Sequence, residues 1–344
     1  MYRRDFIRHS AALTASAPFL HMAHRYLPTD TDIIGHGSFR YRVHHDWHRG
    51  KPLPVKDCHE MVQAPDGRLF LLTNHTANNV IVYDRSGEVL DSWGDAYPGA
   101  HGLTLSEEGG EAFLWITDEK TGAVVKHTLD GREVLSLEPP LESGYYADRS
   151  EYKPTETTVD ARGRVYVADG YGKNYVHRYS PGGRYELSFG GTGTAPALLD
   201  CAHGVAIDTR TDDPTILVTS RTEQAFKRFT LDGEHLATYP TPGMWICRPV
   251  IRGAYTYFAV IVTETWYGYD GMIAVFDADM RLVSAPGATS ERIEYAGGAL
   301  VTPISDQLTF LNPHDVCLDA DENLYVPQWY SGRTYPVMLE RVSA

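Results

Sequence analysis

The stretch DARGRVYVADGYGKNYVHRYSPGGRYELSFG, residues 160–190, decides the fold. It reads as a Gly turn, a Val-Tyr-Val strand, a polar turn, a second strand, a Pro-Gly-Gly turn and a last strand. The stretch APDGRLFLLTNHTANNVIVYDRSGEVLDSWG, residues 64–94, follows the same order almost step for step. Shorter versions occur at 115–137, 217–239, 274–287 and 323–342. Each is preceded by one more apolar strand with a polar start. Four short strands per unit with Gly turns between them describe a propeller blade.

The polar starts fall at His59, His101, Thr155, His203, Arg248 and His314. Their spacings fit propeller repeats with loop insertions. The reading is an all-β, six-bladed β-propeller with NHL-type repeats, one domain over residues 31–344. Its last unit is one strand short, and SFRYRVHHDW, residues 38–47, is expected to supply that strand and close the ring. A β-sandwich would not repeat one four-strand unit six times, and a β-helix has much shorter repeats.

Formal net charge is −14 and no basic run occurs, which argues against a nucleic-acid partner. No stretch reaches the apolar length of a membrane helix. The profile of 22 Tyr and 31 Gly suits many short strands broken by turns. At the N-terminus, Arg3-Arg4, Phe6 and a short apolar run resemble a twin-arginine export signal over residues 1–30. That implies a periplasmic or secreted protein, with a solvated tail on a cytoplasmic protein as the alternative. Cys58, Cys201, Cys247 and Cys317 are too few and too spread for a disulfide scaffold, and read as small residues near a crowded axis.

Three unit starts share one pattern: GAHGLTL at 99–105, CAHGVAI at 201–207 and NPHDVCL at 312–318. The first strand of every blade lines the central channel. His101, His203 and His314 begin blades 2, 4 and 6, about 120° apart by division of the ring. Three imidazoles converging on one axial point are the geometry of an open His₃ metal site. The ion is left open among Zn²⁺, Mn²⁺, Fe²⁺ and Ni²⁺. A structural histidine copied between blades is the competing reading. His59, at the start of blade 1, fits the phase but breaks the alternation, and reads as a channel-lining residue. Asp315, beside His314, reads either as a ligand of a second cation such as Ca²⁺ or as an aspartate bonded to local amides.

The stretch KPTETTVDARGRVYVADGYGKNYVHRYSPGGRYELSFG, residues 153–190, resembles one blade of the peptidyl-α-hydroxyglycine α-amidating lyases, which are six-bladed propellers. The two HG strand starts and the PHD segment complete the pattern over roughly residues 99–340. The resemblance implies a catalytic zinc on His101, His203 and His314. It implies a proton-transferring tyrosine at Tyr171 and a substrate-carboxylate arginine at Arg221. It also implies a structural Ca²⁺ on Asp315 and the backbone carbonyl of Leu103. This sequence departs in carrying Asn312 where the family has Met. The family's first-blade arginine finds only Arg49, and DCHEM supplies His59 and Glu60 instead.

The family reaction splits a carbinolamide into an amide and an aldehyde. Here the expectation is a metal-dependent lyase for a small hydroxylated or carbonyl-bearing substrate, with Tyr171, Arg221, Arg248 and His59 as catalytic candidates. Glu60, Glu156, Glu264, Trp245, Trp266, Tyr267 and Tyr269 are further residues for the channel mouth. For Glu156 the competing reading is a surface carboxylate paired with Lys153, and for the aromatics it is packing between blades. Two other functions stay open: a metal-dependent carbohydrate lyase or hydrolase, and a non-catalytic NHL-type binding propeller. Oligomeric state is not legible in any pattern.

Overall fold

A computed structural model describes residues 32–49, 53–263, 266, 268–330 and 332–342. The export-signal segment, Glu264 and Tyr267 lie outside the described residues. The chain forms a six-bladed β-propeller. Blade 1 runs inner to outer as Cys58–Gln63, Leu69–Thr73, Val80–Tyr83 and Val89–Trp93. Blade 2 spans Ala100–Glu108 to Glu133–Ser136, blade 3 Glu156–Val159 to Tyr185–Gly190, and blade 4 Ala202–Asp208 to His235–Pro240. Blade 5 runs from Val250–Arg252 to Leu282–Ser284, and the segment 245–247 extends its inner edge through backbone bonds to Ala259 and Val262.

The sixth sheet draws on both ends of the described chain. Cys317–Leu318, Leu324–Val326 and Val337–Arg341 are followed by Phe39–His44, whose Val43 pairs with Leu339. A fifth strand, Ile33–His36, extends that sheet outward through a hairpin and was not anticipated from the sequence. His36 ties it to blade 5, its backbone N–H donating to the Ser284 hydroxyl at 2.8 Å.

Turn chemistry explains the repeating Asp. Asp160 accepts from the backbone N–H of Arg162 and Arg164 at 2.9 and 3.0 Å, while Gly163 adopts φ +75°. Such a side-chain turn with a left-handed Gly suits a tight hairpin. Asp84, Asp277 and Asp319 make the same pair of contacts in three other blades.

Among the described residues the core lies between blades, in six clusters. One joins Phe70 and Leu72 of blade 1 to Leu103 and Ile116 of blade 2. Others join Trp115 to Val167, Ala168 to Val218, Phe226 to Phe258, Tyr257 to Leu339, and Met61 to Tyr325, which returns the packing to blade 1. Second strands such as Leu69–Thr73 are therefore buried on both faces, and read as continuous apolar runs. Outer strands alternate, as His235–Pro240 does. This packing holds six inner-strand starts around one axis.

Candidate metal centre

The inner strands do not run straight through the histidines. In blade 2 the pairing Ala100–Asp118 shifts before Leu103–Ile116, and in blade 4 Ala202–Ser220 shifts before Val205–Val218. Blade 1 shifts between Cys58 and Glu60. An extra residue in one strand of a pair re-aims its side chains. His59, His101 and His203 sit in these bulges. The glycines that follow His101 and His203 are required by space: a Cβ on Gly204 would lie 2.2 Å from the Arg248 Cα, and one on Gly102 2.6 Å from the Thr155 carbonyl oxygen.

His59, His101, His203 and His314 meet on the axis, each at most 4% exposed. The centroids of His101, His203 and His314 lie 4.8, 4.9 and 5.0 Å from one another. His59 joins them, 5.0 Å from His101 and 4.8 Å from His314. It is thus a full member of the cluster and not only a channel-lining residue. His101 Nδ1–H donates to the Thr155 carbonyl at 2.8 Å, and His314 Nδ1–H to the His59 carbonyl at 3.0 Å. Such bonds fix the tautomer and leave Nε2 as the unprotonated nitrogen that can accept a proton donor or bind a metal. His203 is different: neither ring nitrogen has a partner.

Burial pushes all four imidazoles below their ordinary range, His59 to about 3, and the Arg221 charge and neighbouring rings add to it. They are neutral at physiological pH, which is the form that binds metals. Two sets of donor atoms lie within 4.8 Å of one another: His59, His101 and His314, and His203, Cys247 and His314. The orphaned nitrogens of His203 and the fixed tautomers of His101 and His314 fit a divalent transition metal.

Tyr171, from the turn between the second and third strands of blade 3, places its hydroxyl 3.2 Å from His101 Nε2. Burial raises its phenol above the ordinary range, and the opposing Arg221 charge is the smaller effect. Arg221 is 3% exposed. Its Nε donates to the Ile246 carbonyl at 3.2 Å and its Nη2 to Cys247 Sγ at 3.0 Å. No carboxylate among the described residues lies within ion-pair distance of it.

Directly below lies a second ring, displaced by one residue. The upper ring is His59, His101, Thr155, His203, Cys247 and His314. The lower is Glu60, Gly102, Glu156, Gly204, Arg248 and Asp315. Arg248 occupies the centre of the lower ring. Its Nε and Nη2 each donate to Asp315 at 2.8 Å, Nη1 donates to the Leu103 carbonyl at 2.9 Å, and Nη2 to the Met61 carbonyl at 3.0 Å. Glu60 and Glu156 approach Nη1 at 3.3 and 3.8 Å. Burial, with Glu156 and Asp315 nearby, raises the Glu60 carboxyl well above its usual range, against the opposing Arg248 charge.

No family model matches the chain. It is 29% identical over 136 residues to NHL repeat-containing protein 3 of Mus musculus, covering 38% of this chain and 39% of that one. It is 25% identical over 143 residues to the peptidylglycine alpha-amidating monooxygenase of Rattus norvegicus, covering 38% of this chain but 14% of that protein. A probable peptidyl-alpha-hydroxyglycine alpha-amidating lyase of Caenorhabditis elegans is 28% identical over 120 residues, 33% of this chain and 31% of that one. The chain is a six-bladed β-propeller that resembles NHL repeat-containing and amidating-lyase proteins over about a third of its length. Among solved structures, a gluconolactonase from Xanthomonas campestris superposes with TM-score 0.60 at 17% identity, covering 91% of this chain and 96% of that one. Virginiamycin B lyase from Staphylococcus aureus gives 0.54 at 15%, covering 92% and 98%. At these identities the likeness shows the fold alone.

In this propeller three expectations need correction. The calcium pair, Asp315 and the Leu103 carbonyl, is taken by the Arg248 guanidinium, and an ion needing six to eight oxygens would have to displace it. Arg248 is accordingly not a catalytic candidate, since its donors are committed to protein acceptors. The blade-5 start falls one residue earlier than read: Cys247, not Arg248, stands level with the histidines. Arg49 lies elsewhere, its backbone N–H bonded to Gly87 in the outer turn of blade 1. Glu156 faces inward, 1% exposed, while Lys153 lies 3.9 Å from Glu119. None of Cys58, Cys201, Cys247 and Cys317 forms a disulfide. Trp245, Trp266 and Trp329 form an edge-to-face row at 5.6 and 5.8 Å beside the blade-5 and blade-6 starts. Tyr269 is buried. Trp329 was missed; its signal was its place in PQW, where the second strand of blade 6 returns toward the histidine level.

Proposed function

We propose that the propeller is a metal-dependent lyase of the amidating-lyase type, acting on a small substrate that carries a hydroxyl or carbonyl group. One observation carries this reading: His203, 1% exposed, presents two ring nitrogens without partners to the centre of a cluster of neutral imidazoles. Leaving such groups unpaired costs stability, so a ligand that pairs them explains the arrangement. His101, His203 and His314 would hold the ion, with His59 beside them. When bound there, a divalent metal supplies a Lewis acid that polarises a hydroxyl or carbonyl oxygen.

The chain's own residues supply the rest. The Thr155 and His59 carbonyls orient the His101 and His314 rings. Tyr171 enters as a neutral phenol. In carbinolamide cleavage it gives its proton to the departing nitrogen as the C–N bond breaks, and recovers one from the substrate hydroxyl as the C=O bond forms. Arg221 stabilises negative charge nearby without being consumed. The burial of the site excludes water.

The test combines metal content by plasma mass spectrometry with an aldehyde-release assay on an α-hydroxyglycine amide. The expected result is about one equivalent of transition metal in the wild type, lost in His203→Ala, and turnover that falls roughly 10²-fold or more in Tyr171→Phe. Equal metal in both proteins, or none in protein purified without chelator, would remove the metal reading. Metal without aldehyde release would move the chain to a hydrolase or carbohydrate-lyase reaction.

A further inference from the structure

We propose that Cys247 is a metal ligand in this propeller, so that the centre is a mixed imidazole–thiolate site; this rests on the metal reading above. Four observations carry it. Cys247 takes the blade-5 place in the ring that otherwise holds four histidines and Thr155. Its Sγ forms a set with the donor atoms of His203 and His314, all within 4.8 Å of one another. In that set His203 is the side chain whose two nitrogens lack partners, at 1% exposure. The fourth observation is a charge imbalance. Arg221 is a buried cation with no carboxylate in ion-pair range among the described residues, and its Nη2 donates to Cys247 Sγ at 3.0 Å.

A buried cation needs an anion. A thiolate at Cys247 supplies it. Metal binding at the sulfur expels the thiol proton to solvent and leaves a sulfur anion between the ion and the guanidinium. The Arg221 N–H then becomes an outer hydrogen bond to a ligand sulfur, the kind of partner that orients ligands and tunes a metal. The Pro313 carbonyl, 3.9 Å from Sγ, is the alternative acceptor for the thiol proton when no metal is bound. A soft sulfur donor also shifts preference toward zinc, cobalt and iron and away from manganese.

Cobalt makes the sulfur visible. Full-length protein is stripped with chelator and titrated with Co²⁺ while absorption is recorded. The expected result is a near-ultraviolet thiolate-to-cobalt charge-transfer band together with visible d–d bands. Cys247→Ser should lose the first and keep the second, bind cobalt roughly tenfold or more weakly, and release one proton fewer per ion. Cys201→Ser should keep both bands. Visible bands without the near-ultraviolet band in the wild type, or that band surviving in Cys247→Ser, overturn the cysteine ligand and leave the histidine centre standing. No cobalt bands at all overturn both. X-ray absorption on the wild-type zinc form does not depend on the variants folding: a sulfur shell near about 2.3 Å supports the ligand, and a shell of nitrogen and oxygen alone removes it.

Discussion

Two rings of side chains sit one residue apart on the same axis, and they are built to opposite ends. The lower ring is closed. Arg248 satisfies both Asp315 oxygens and two backbone carbonyls, and three acids surround one guanidinium. The upper ring is open. Its imidazoles are neutral, and the two nitrogens of His203 have no partner. A single-residue step along each inner strand therefore separates the part that holds the blades together from the part that can bind. The lower ring connects residues of blades 1, 2, 3, 5 and 6, so its cation is a structural centre made by the chain itself.

The largest expected effect lies in the lower ring. Arg248→Ala strips the counter-charge from buried Asp315 and Glu156, and breaking a buried pair of this kind costs about 3–5 kcal/mol. Urea unfolding measures it. The same experiment with calcium or a calcium chelator should leave the wild-type midpoint unmoved, because the guanidinium holds the oxygens that an ion would need. Calcium added to Arg248→Ala should recover part of the loss. A wild type that calcium stabilises would break the comparison, since the lower ring would then also be open.

A medium effect tests how closely the rings are stacked. Gly204 follows His203 and passes Arg248, where a Cβ would come 2.2 Å from the Arg248 Cα. Gly204→Ala should cost about 1–3 kcal/mol by overpacking. Gly182, with nothing within 4 Å of the same added carbon, is the control and should change stability by less than about 0.5 kcal/mol on substitution to Ala. Equal effects at both sites would mean that the inner strands can separate freely.

The propeller was legible because its signals are local. Asp-x-x-Gly turns and β-branched strands recur in sequence, and the core between blades needs only apolar residues in those strands. The three histidines were legible because they share a local motif. The rest was not, for physical reasons. His59 lacks the small-His-Gly context, and its place depends on a bulge between Cys58 and Glu60 that no composition signals. Cys247 was displaced by one residue because Arg248 was the more conspicuous polar side chain at a position where a period-two strand gives opposite meanings to neighbours. The calcium expectation failed for the same reason: it treated Asp315 and Leu103 as free acceptors, and the donor that occupies them is 67 residues from the first and 145 from the second. The fifth strand, Ile33–His36, pairs only with its own hairpin partner in its sheet, so no repeat announces it.

The smallest expected effect on stability comes from the residue most important to the site. His203→Leu replaces two unpartnered ring nitrogens with an apolar side chain, so in chelator-treated protein it should cost less than about 1 kcal/mol or stabilise slightly. His177 is the matched control. It is fully buried and held on both sides, with Nε2 2.7 Å from the Tyr146 hydroxyl and Nδ1 2.7 Å from the Ser188 hydroxyl, and the Tyr146 hydroxyl donates a hydrogen bond to Asp169 at 2.6 Å. His177→Leu leaves Tyr146 and Ser188 short of a partner and should cost about 1–3 kcal/mol. Thermal unfolding of the two variants, each with and without zinc, separates the roles. Zinc should raise the midpoint of the wild type and of His177→Leu, and should not move His203→Leu. If both substitutions cost the same and zinc stabilises both proteins equally, His203 is a second structural histidine, and the upper ring is as closed as the lower one.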